Sequence, residues 1–155
     1  MTREEFGLRV TSRQGQLYRV ARGYLRGEHD CLDAVSEAIL KAWQKRDTLR
    51  DERLFDTWLT RILIRECVNI QRRQKRTILV ETPPEPPARP GCDEELRLTL
   101  DALPQKLRTV TVLHYMEGYG VDDIAKILGI TRGAACSRLF RARNCLRGLL
   151  KEEIE

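Results

Sequence analysis

The sequence predicts an all-α fold: two small helical domains, an N-terminal bundle and a C-terminal helix-turn-helix domain, joined by a proline-rich linker. Three observations carry that reading. Apolar residues recur at helical spacing, and strand-like alternation is nearly absent. Five of the six prolines crowd into "ETPPEPPARPGCDEE". No helix forms there, because each proline lacks an N–H and restricts the residue before it. Charge divides at the same place. Residues 1–76 carry 17 basic and 11 acidic side chains, residues 77–95 one and five, and residues 96–155 ten and seven. The expected division is therefore 1–76, a semi-stiff linker over 77–95, and 96–155.

A chain of 155 residues suffices for two small domains. Charged residues make up 33% and aromatic ones 6%, so any core is modest and built mostly from Leu, Ile, Val and Ala. The net charge of +5 leans toward a polyanionic partner. Two basic heads on an acidic tether suit two contacts on one long anion. Five cysteines (Cys31, Cys67, Cys92, Cys136 and Cys145) form no CxxC pair, and His29 and His114 lie far apart. No metal or cofactor is expected, and free thiols fit a reducing cytosol. The start "MTREEFGLRV" has no apolar signal-peptide region, and no apolar run approaches a membrane span. The expected location is the cytoplasm, with no membrane insertion and no small-molecule substrate.

In the first domain the pattern predicts helices at about 3–26, 30–46 and 53–76. The second has a stripe of Ala34, Val35, Ala38, Ile39, Ala42 and Trp43. The third has Leu54, Phe55, Trp58, Leu59, Ile62 and Leu63. Each stripe can be buried in a small bundle, with both tryptophans in its packing. The third helix ends in "RRQKR", Arg72 to Arg76. Cations favour a helix C-terminus, but four in five residues exceed what the dipole needs, which points to phosphate contact.

In the second domain, "VDDIAKILGI" places Val121, Ile124, Ala125 and Leu128 on one face, with Asp122 and Asp123 in the first turn. Gly129 stops that helix, Ile130 can plug the core, and Thr131 can cap the next helix. Helix, glycine turn and capped helix make a helix-turn-helix. The following segment, "GITRGAACSRLFRARNCLR", holds five arginines and no acid. At about 100° per residue, Ala135, Leu139, Ala142 and Leu146 share one side. Gly133, Ser137, Phe140, Arg141 and Asn144 lie opposite, with Arg138 and Arg143 on the flanks. A major groove asks for this: small and hydrogen-bonding groups toward base edges, arginines toward phosphates. Phe140 gains nothing from water there and would gain contact with a thymine methyl. Leu100, Leu103, Leu107, Val110, Leu113 and Met116 are expected to pack beneath the motif. His114 and Tyr115 read as packing or turn-facing residues.

These residues carry a specific resemblance. "LDALPQKLRTVTVLHYMEGYGVDDIAKILGITRGAACSRLFRARNCLRGLL" resembles the C-terminal DNA-binding domain of bacterial RNA polymerase sigma factors of the extracytoplasmic-function (ECF) group. It matches at Leu103–Pro104, Glu117–Gly118 and Ser137–Arg143. "DAVSEAILKAW" and "FDTWLTRILIRECVNIQRRQKR" resemble the same family's core domain in order and spacing. The likeness runs over roughly residues 10–150. It implies an alternative sigma factor that binds core RNA polymerase and chooses its promoters. The helix Asp33–Trp43 would meet the clamp helices of the largest subunit, through Asp33, Ser36, Glu37, Leu40 and Lys41. The first domain would melt and read the minus-ten element, with Arg61, Arg65, Arg72, Arg73 and Arg76 toward DNA and a flipped base held near "RDTLRDERLF". The second would read the minus-thirty-five element through Arg132, Cys136, Ser137, Arg138, Phe140, Arg141 and Asn144. The linker would run through the polymerase. The resemblance also implies an anti-sigma factor, and association with the nucleoid when the factor is active.

The chain departs from the family at Ser36, Ile39 and Arg65, where glutamine, phenylalanine and asparagine are frequent. Ala134, Ala135 and Cys136 stand where "TVK" is common, and Arg132 is the candidate substitute for that lysine. Two rival readings are an autonomous dimeric operator-binding regulator and an interaction protein that titrates another factor. Capture of core polymerase discriminates against the first, and specific run-off transcription against the second. An enzyme is disfavoured, since no nucleophile–base pair, phosphate loop or metal cluster is legible.

Overall fold

Helix boundaries follow from local chemistry at each end. The computed structural model describes residues 1–77 and 94–154, with side chains over 1–76 and 98–149. The proline-rich stretch and Cys92 lie outside the described residues. Among the described residues there are seven α-helices and no strand. They divide into two compact units, the first carrying three helices and the second four. None of the described helices is long and apolar enough to cross a membrane.

In the first unit, α1 spans Arg3–Tyr24, α2 Glu28–Gln44 and α3 Phe55–Thr77. A capping box opens α1: Thr2 Oγ1 accepts the Glu5 N–H (3.2 Å) and the Glu5 carboxylate accepts the Thr2 N–H (3.1 Å). Phe6, Val10, Leu17, Val20, Ala21 and Tyr24 of α1 are buried. They face Ala34, Val35, Ala38 and Ala42 of α2 and Leu59, Leu63 and Ile70 of α3. The alanines of α2 let three helices share a thin core. Two 3₁₀ turns, Arg46–Thr48 and Glu52–Leu54, link α2 to α3.

Several details depart from the periodic reading. Leu54 falls in the second 3₁₀ turn and is exposed, because the tighter turn swings it off the α3 stripe. Trp43 and Trp58 are half-buried, at the rim of an aromatic cluster. Phe6 meets Trp43 edge-on at 5.2 Å and Phe55 at 5.9 Å, and the Arg46 guanidinium lies 3.8 Å over the Trp43 ring. Cys31 and Cys67 are buried free thiols.

In the second unit, α4 spans Glu94–Ala102 and α5 Gln105–Thr111, parted by Pro104. A π-helical turn, Val112–Met116, continues α5, with the Glu117 N–H bonded to the Val112 carbonyl at 3.0 Å. Its wider turn carries later residues off the α-helical register. Leu103, Leu107, Val110 and Leu113 are buried as expected, Leu100 is half-buried, and Met116 is turned out to solvent. Gly118, at φ 74°, makes the bend before α6, Val121–Leu128. Ile124, Ala125 and also Ile127 are buried there, while Val121 and Leu128 are half-buried, so the inward face is broader than one stripe. Gly129 closes α6 at φ 67°, and the Ile130 N–H returns to the Ala125 carbonyl at 3.0 Å. Then α7 runs Arg132–Ile154.

Candidate nucleic-acid interface

Thr131 sets the start of α7 by accepting the Ala134 N–H at 3.1 Å. From there the helix is pinned by small residues: Ala135 and Ala142 are fully buried and Leu139 is 3% exposed. A helix seated that deeply on one side holds its opposite side in fixed register. On that opposite side Gly133, Ser137, Phe140, Arg141 and Asn144 are all exposed, and Cys136, nearer the flank, is exposed too. Phe140 is 63% exposed. Arg138, on one flank, is half-buried.

The other flank is more ordered than its charge suggested. Arg132 stands at the first position of α7, 3.4 Å from the Asp122 carboxylate in the first turn of α6, and both side chains are exposed. Arg143 donates its Nε–H to the hydroxyl of Tyr115 on the π turn. His114 lies edge-on to Tyr115 with ring centroids 4.8 Å apart. Its Nδ1 is 2.9 Å from the Tyr119 carbonyl, which fixes the proton on Nδ1 because a carbonyl only accepts. Sequence reasoning placed Tyr115 and His114 near the turn but missed the link to α7. No sequence signal marks it, because Tyr115 and Arg143 are 28 residues apart and meet only through the fold.

In the first unit, Arg61, Arg65, Arg72 and Arg76 of α3 are exposed and fall within a sector of about 60° at helical spacing. None of the four has a carboxylate partner among the described residues. Arg73 lies further round, toward α2. A groove of about 520 Å³ between α2 and α3 brings Arg72, Arg73 and Arg76 beside Lys41 and Asn69. A second groove of about 530 Å³ sets Asp30, Asp33, Ser36 and Glu37 of α2 against Ile70, Arg73 and Gln74 of α3. Gln74 ties the helices by donating to Asp30 at 2.6 Å, and Gln71 donates to the Tyr24 carbonyl at 2.7 Å. Leu40 is half-exposed beside this acidic face. Lys41 differs from the other α2 candidates, since its ammonium pairs with the buried Glu66 of α3. The segment 46–55 borders a smaller cavity of about 210 Å³. Its charges already pair with each other, Arg9 with Glu52 at 3.2 Å and Arg13 with Asp56.

Helices α6 and α7 with their glycine turn define a helix-turn-helix protein in which the outer face of α7 is exposed. Comparison with known proteins makes the class specific. Residues 10–77 match sigma-70 region 2 and residues 93–146 match sigma-70 region 4. The chain is 32% identical to the ECF RNA polymerase sigma factor SigM of Mycobacterium tuberculosis, over 87% of this chain and 71% of that protein. It is 29% identical to the RNA polymerase sigma factor SigV of Bacillus subtilis, over 93% and 90%. Among solved structures it resembles the sigma factor RpoE of Bartonella quintana, in complex with the anti-sigma factor NepR. The TM-score is 0.82 at 26% identity, covering 96% of this chain and 98% of that one. It also resembles CnrH in complex with the cytosolic domain of CnrY, with a TM-score of 0.77 at 27% identity, covering 97% and 90%. The chain belongs to the sigma-70 family, in its ECF group. It is therefore a transcription initiation factor that gives RNA polymerase its promoter choice. Region 2 serves the minus-ten element and region 4 the minus-thirty-five element.

Proposed function

We propose that α7 reads the minus-thirty-five duplex with Ser137, Phe140, Arg141, Asn144 and Cys136, while Arg132 and Arg138 hold phosphates. The observation that carries this is the exposure of Phe140 opposite a fully buried alanine stripe. An aromatic ring left in water on a cationic face gains apolar contact when a thymine methyl covers it. In residues 1–76, Arg61, Arg65, Arg72 and Arg76 follow the promoter around the minus-ten element, with Arg73 at the border toward α2. Unstacking a base there costs a few kcal/mol, offset by strand contacts. The α2 face of Asp33, Ser36, Glu37 and Leu40 meets the polymerase clamp helices. Lys41 supports that face from behind, through its pair with Glu66. The linker, expected at 77–95, joins the two domains between α3, which ends at Thr77, and α4, which begins at Glu94.

The factor has no catalysis of its own and works in the bacterial cytoplasm, on the nucleoid when active. The pairing of the similar RpoE with the anti-sigma factor NepR supports an anti-sigma partner here too. Run-off transcription with core polymerase on a randomised promoter library tests the reading. Wild-type protein should select a defined minus-ten and minus-thirty-five pair. Arg141→Ala should relax selection at one minus-thirty-five position by about 1–3 kcal/mol. Leu40→Ala should weaken polymerase capture with DNA contacts intact. Selection of the same promoter by Arg141→Ala would remove that residue from base reading.

A further inference from the structure

We propose that Tyr115 is a positioning residue for DNA binding: its hydroxyl holds Arg143 as a phosphate clamp toward the C-terminal half of α7. The inference rests on the reading of α7 as the helix that faces promoter DNA.

Arg143 shares a flank of α7 with Arg132. They are eleven residues apart, hence about 16 Å along the helix axis. Each is held by an element that precedes α7, but in different ways. Arg132 is held by a carboxylate, which cancels part of the field it would offer a phosphate. Arg143 is held by a neutral oxygen, since its Nε–H goes to Tyr115 Oη and its guanidinium carbon lies 5.9 Å from the ring centroid. A neutral acceptor orients the guanidinium plane and leaves its charge whole. Among the described residues, neither Nη group of Arg143 takes a carboxylate partner. Those two groups form the fork that grips paired phosphate oxygens.

Tyr115 is itself held in place. It sits on the π turn, a wider turn often found at functional sites. The edge contact with His114 braces its ring, and the His114 bond to the Tyr119 carbonyl braces the imidazole. Core packing does not explain this tyrosine, which is 51% exposed. The chain from Tyr119 through His114 and Tyr115 to Arg143 links the turn before α6 to the flank of α7.

A double-mutant cycle tests this with the full chain bound to core RNA polymerase. The probes are promoter duplexes that the wild-type holoenzyme has selected from a randomised library. Affinity is measured by fluorescence anisotropy at several salt concentrations, and folding by thermal melting. Tyr115→Phe keeps the ring and removes only the hydroxyl. It should leave melting unchanged and weaken binding about 3- to 10-fold, equally for all selected sequences. Arg143→Ala should weaken binding at least as much and flatten the log affinity–log salt slope by about 0.9, the loss of one phosphate contact. The double variant should bind no more weakly than Arg143→Ala alone. Additive losses, an unchanged Tyr115→Phe affinity, or a loss confined to particular base sequences would each overturn the positioning role. A wild-type holoenzyme that selects no minus-thirty-five sequence would overturn the reading of α7 and this inference with it. Intact selection with an additive cycle would overturn the inference alone.

Discussion

Lys41 of α2 pairs its ammonium with the carboxylate of Glu66 on α3, a residue only 5% exposed. The pair fastens the two helices whose facing surfaces form both grooves of the first unit. Lys41 is half-buried, so water still screens one partner. Removing it strands a buried carboxylate, which costs more than the pair itself contributes. Lys41→Ala should lower the stability of the first unit by about 1–3 kcal/mol, read by urea denaturation. Weakened polymerase capture by this variant should track its fraction unfolded. Leu40→Ala should weaken capture with stability nearly unchanged. Equal stability of Lys41→Ala and wild type would mean that Glu66 finds another partner.

The helical class, the two units and the order of residues around α7 were legible because helical periodicity is local. Ala135, Leu139 and Ala142 could be placed inward from spacing alone, and they are buried. Leu146, on the same stripe, is only half-buried, and two other misses have local causes. Met116 was expected inside on 100° spacing, and the π turn after Thr111 breaks that spacing. Leu54 left its stripe because a 3₁₀ turn precedes α3. The unseen pairs, Lys41 with Glu66, Arg132 with Asp122 and Arg143 with Tyr115, join residues on different elements. Their identity depends on how helices cross, which no single-helix pattern contains.

Gly129 holds the turn of the helix-turn-helix at φ 67°. An L-residue with a Cβ at that angle crowds its own carbonyl, at about 1–2 kcal/mol. Gly129→Ala should destabilise the second unit by that amount and blur the angle between α6 and α7. Gly148 supplies the control. It lies inside α7 with open space around the position of a Cβ, so Gly148→Ala should add about 0.5–1 kcal/mol. Thermal melting followed by circular dichroism compares them. A loss of stability in both would point to crowding along α7 rather than to the turn.

Asp51 gives a pH-dependent signature in the loop before α3. Its carboxylate accepts the Arg53 N–H at 3.0 Å and lies 3.2 Å from the Arg53 guanidinium. The Arg53 side-chain hydrogen bond, then the backbone one, holds the carboxyl below the ordinary carboxylate value. A folded pKa below the unfolded one stabilises the fold above the unfolded pKa. That contribution is lost as pH falls through the folded value. In an NMR titration, Asp51 should therefore protonate later than an unperturbed aspartate as acid is added. Arg53→Ala should move it back up. Insensitivity to Arg53→Ala would leave the backbone N–H as the whole cause.

The pair of Arg132 with Asp122 leads to a prediction of opposite sign to that for Tyr115. Asp122 lies on the flank where phosphates would approach, and it neutralises an arginine assigned to hold one. Removing the acid should therefore strengthen DNA binding. Both groups are exposed, so the pair adds little to folding, about 0–1 kcal/mol. Loss of Asp122 from the first turn of α6 costs a further 0.3–1 kcal/mol or so through the helix dipole. Asp122→Asn should therefore melt slightly earlier, yet bind promoter duplexes about 2- to 5-fold more tightly near 0.1 M salt. The gain should shrink as salt rises and the Debye length falls below about 10 Å. It should also appear on non-cognate duplexes, because phosphates carry no sequence. In an Arg132→Ala background the substitution should still help, since the acid's repulsion of the backbone persists. Weaker binding by Asp122→Asn, abolished in that background, would show instead that the carboxylate orients Arg132 for its phosphate.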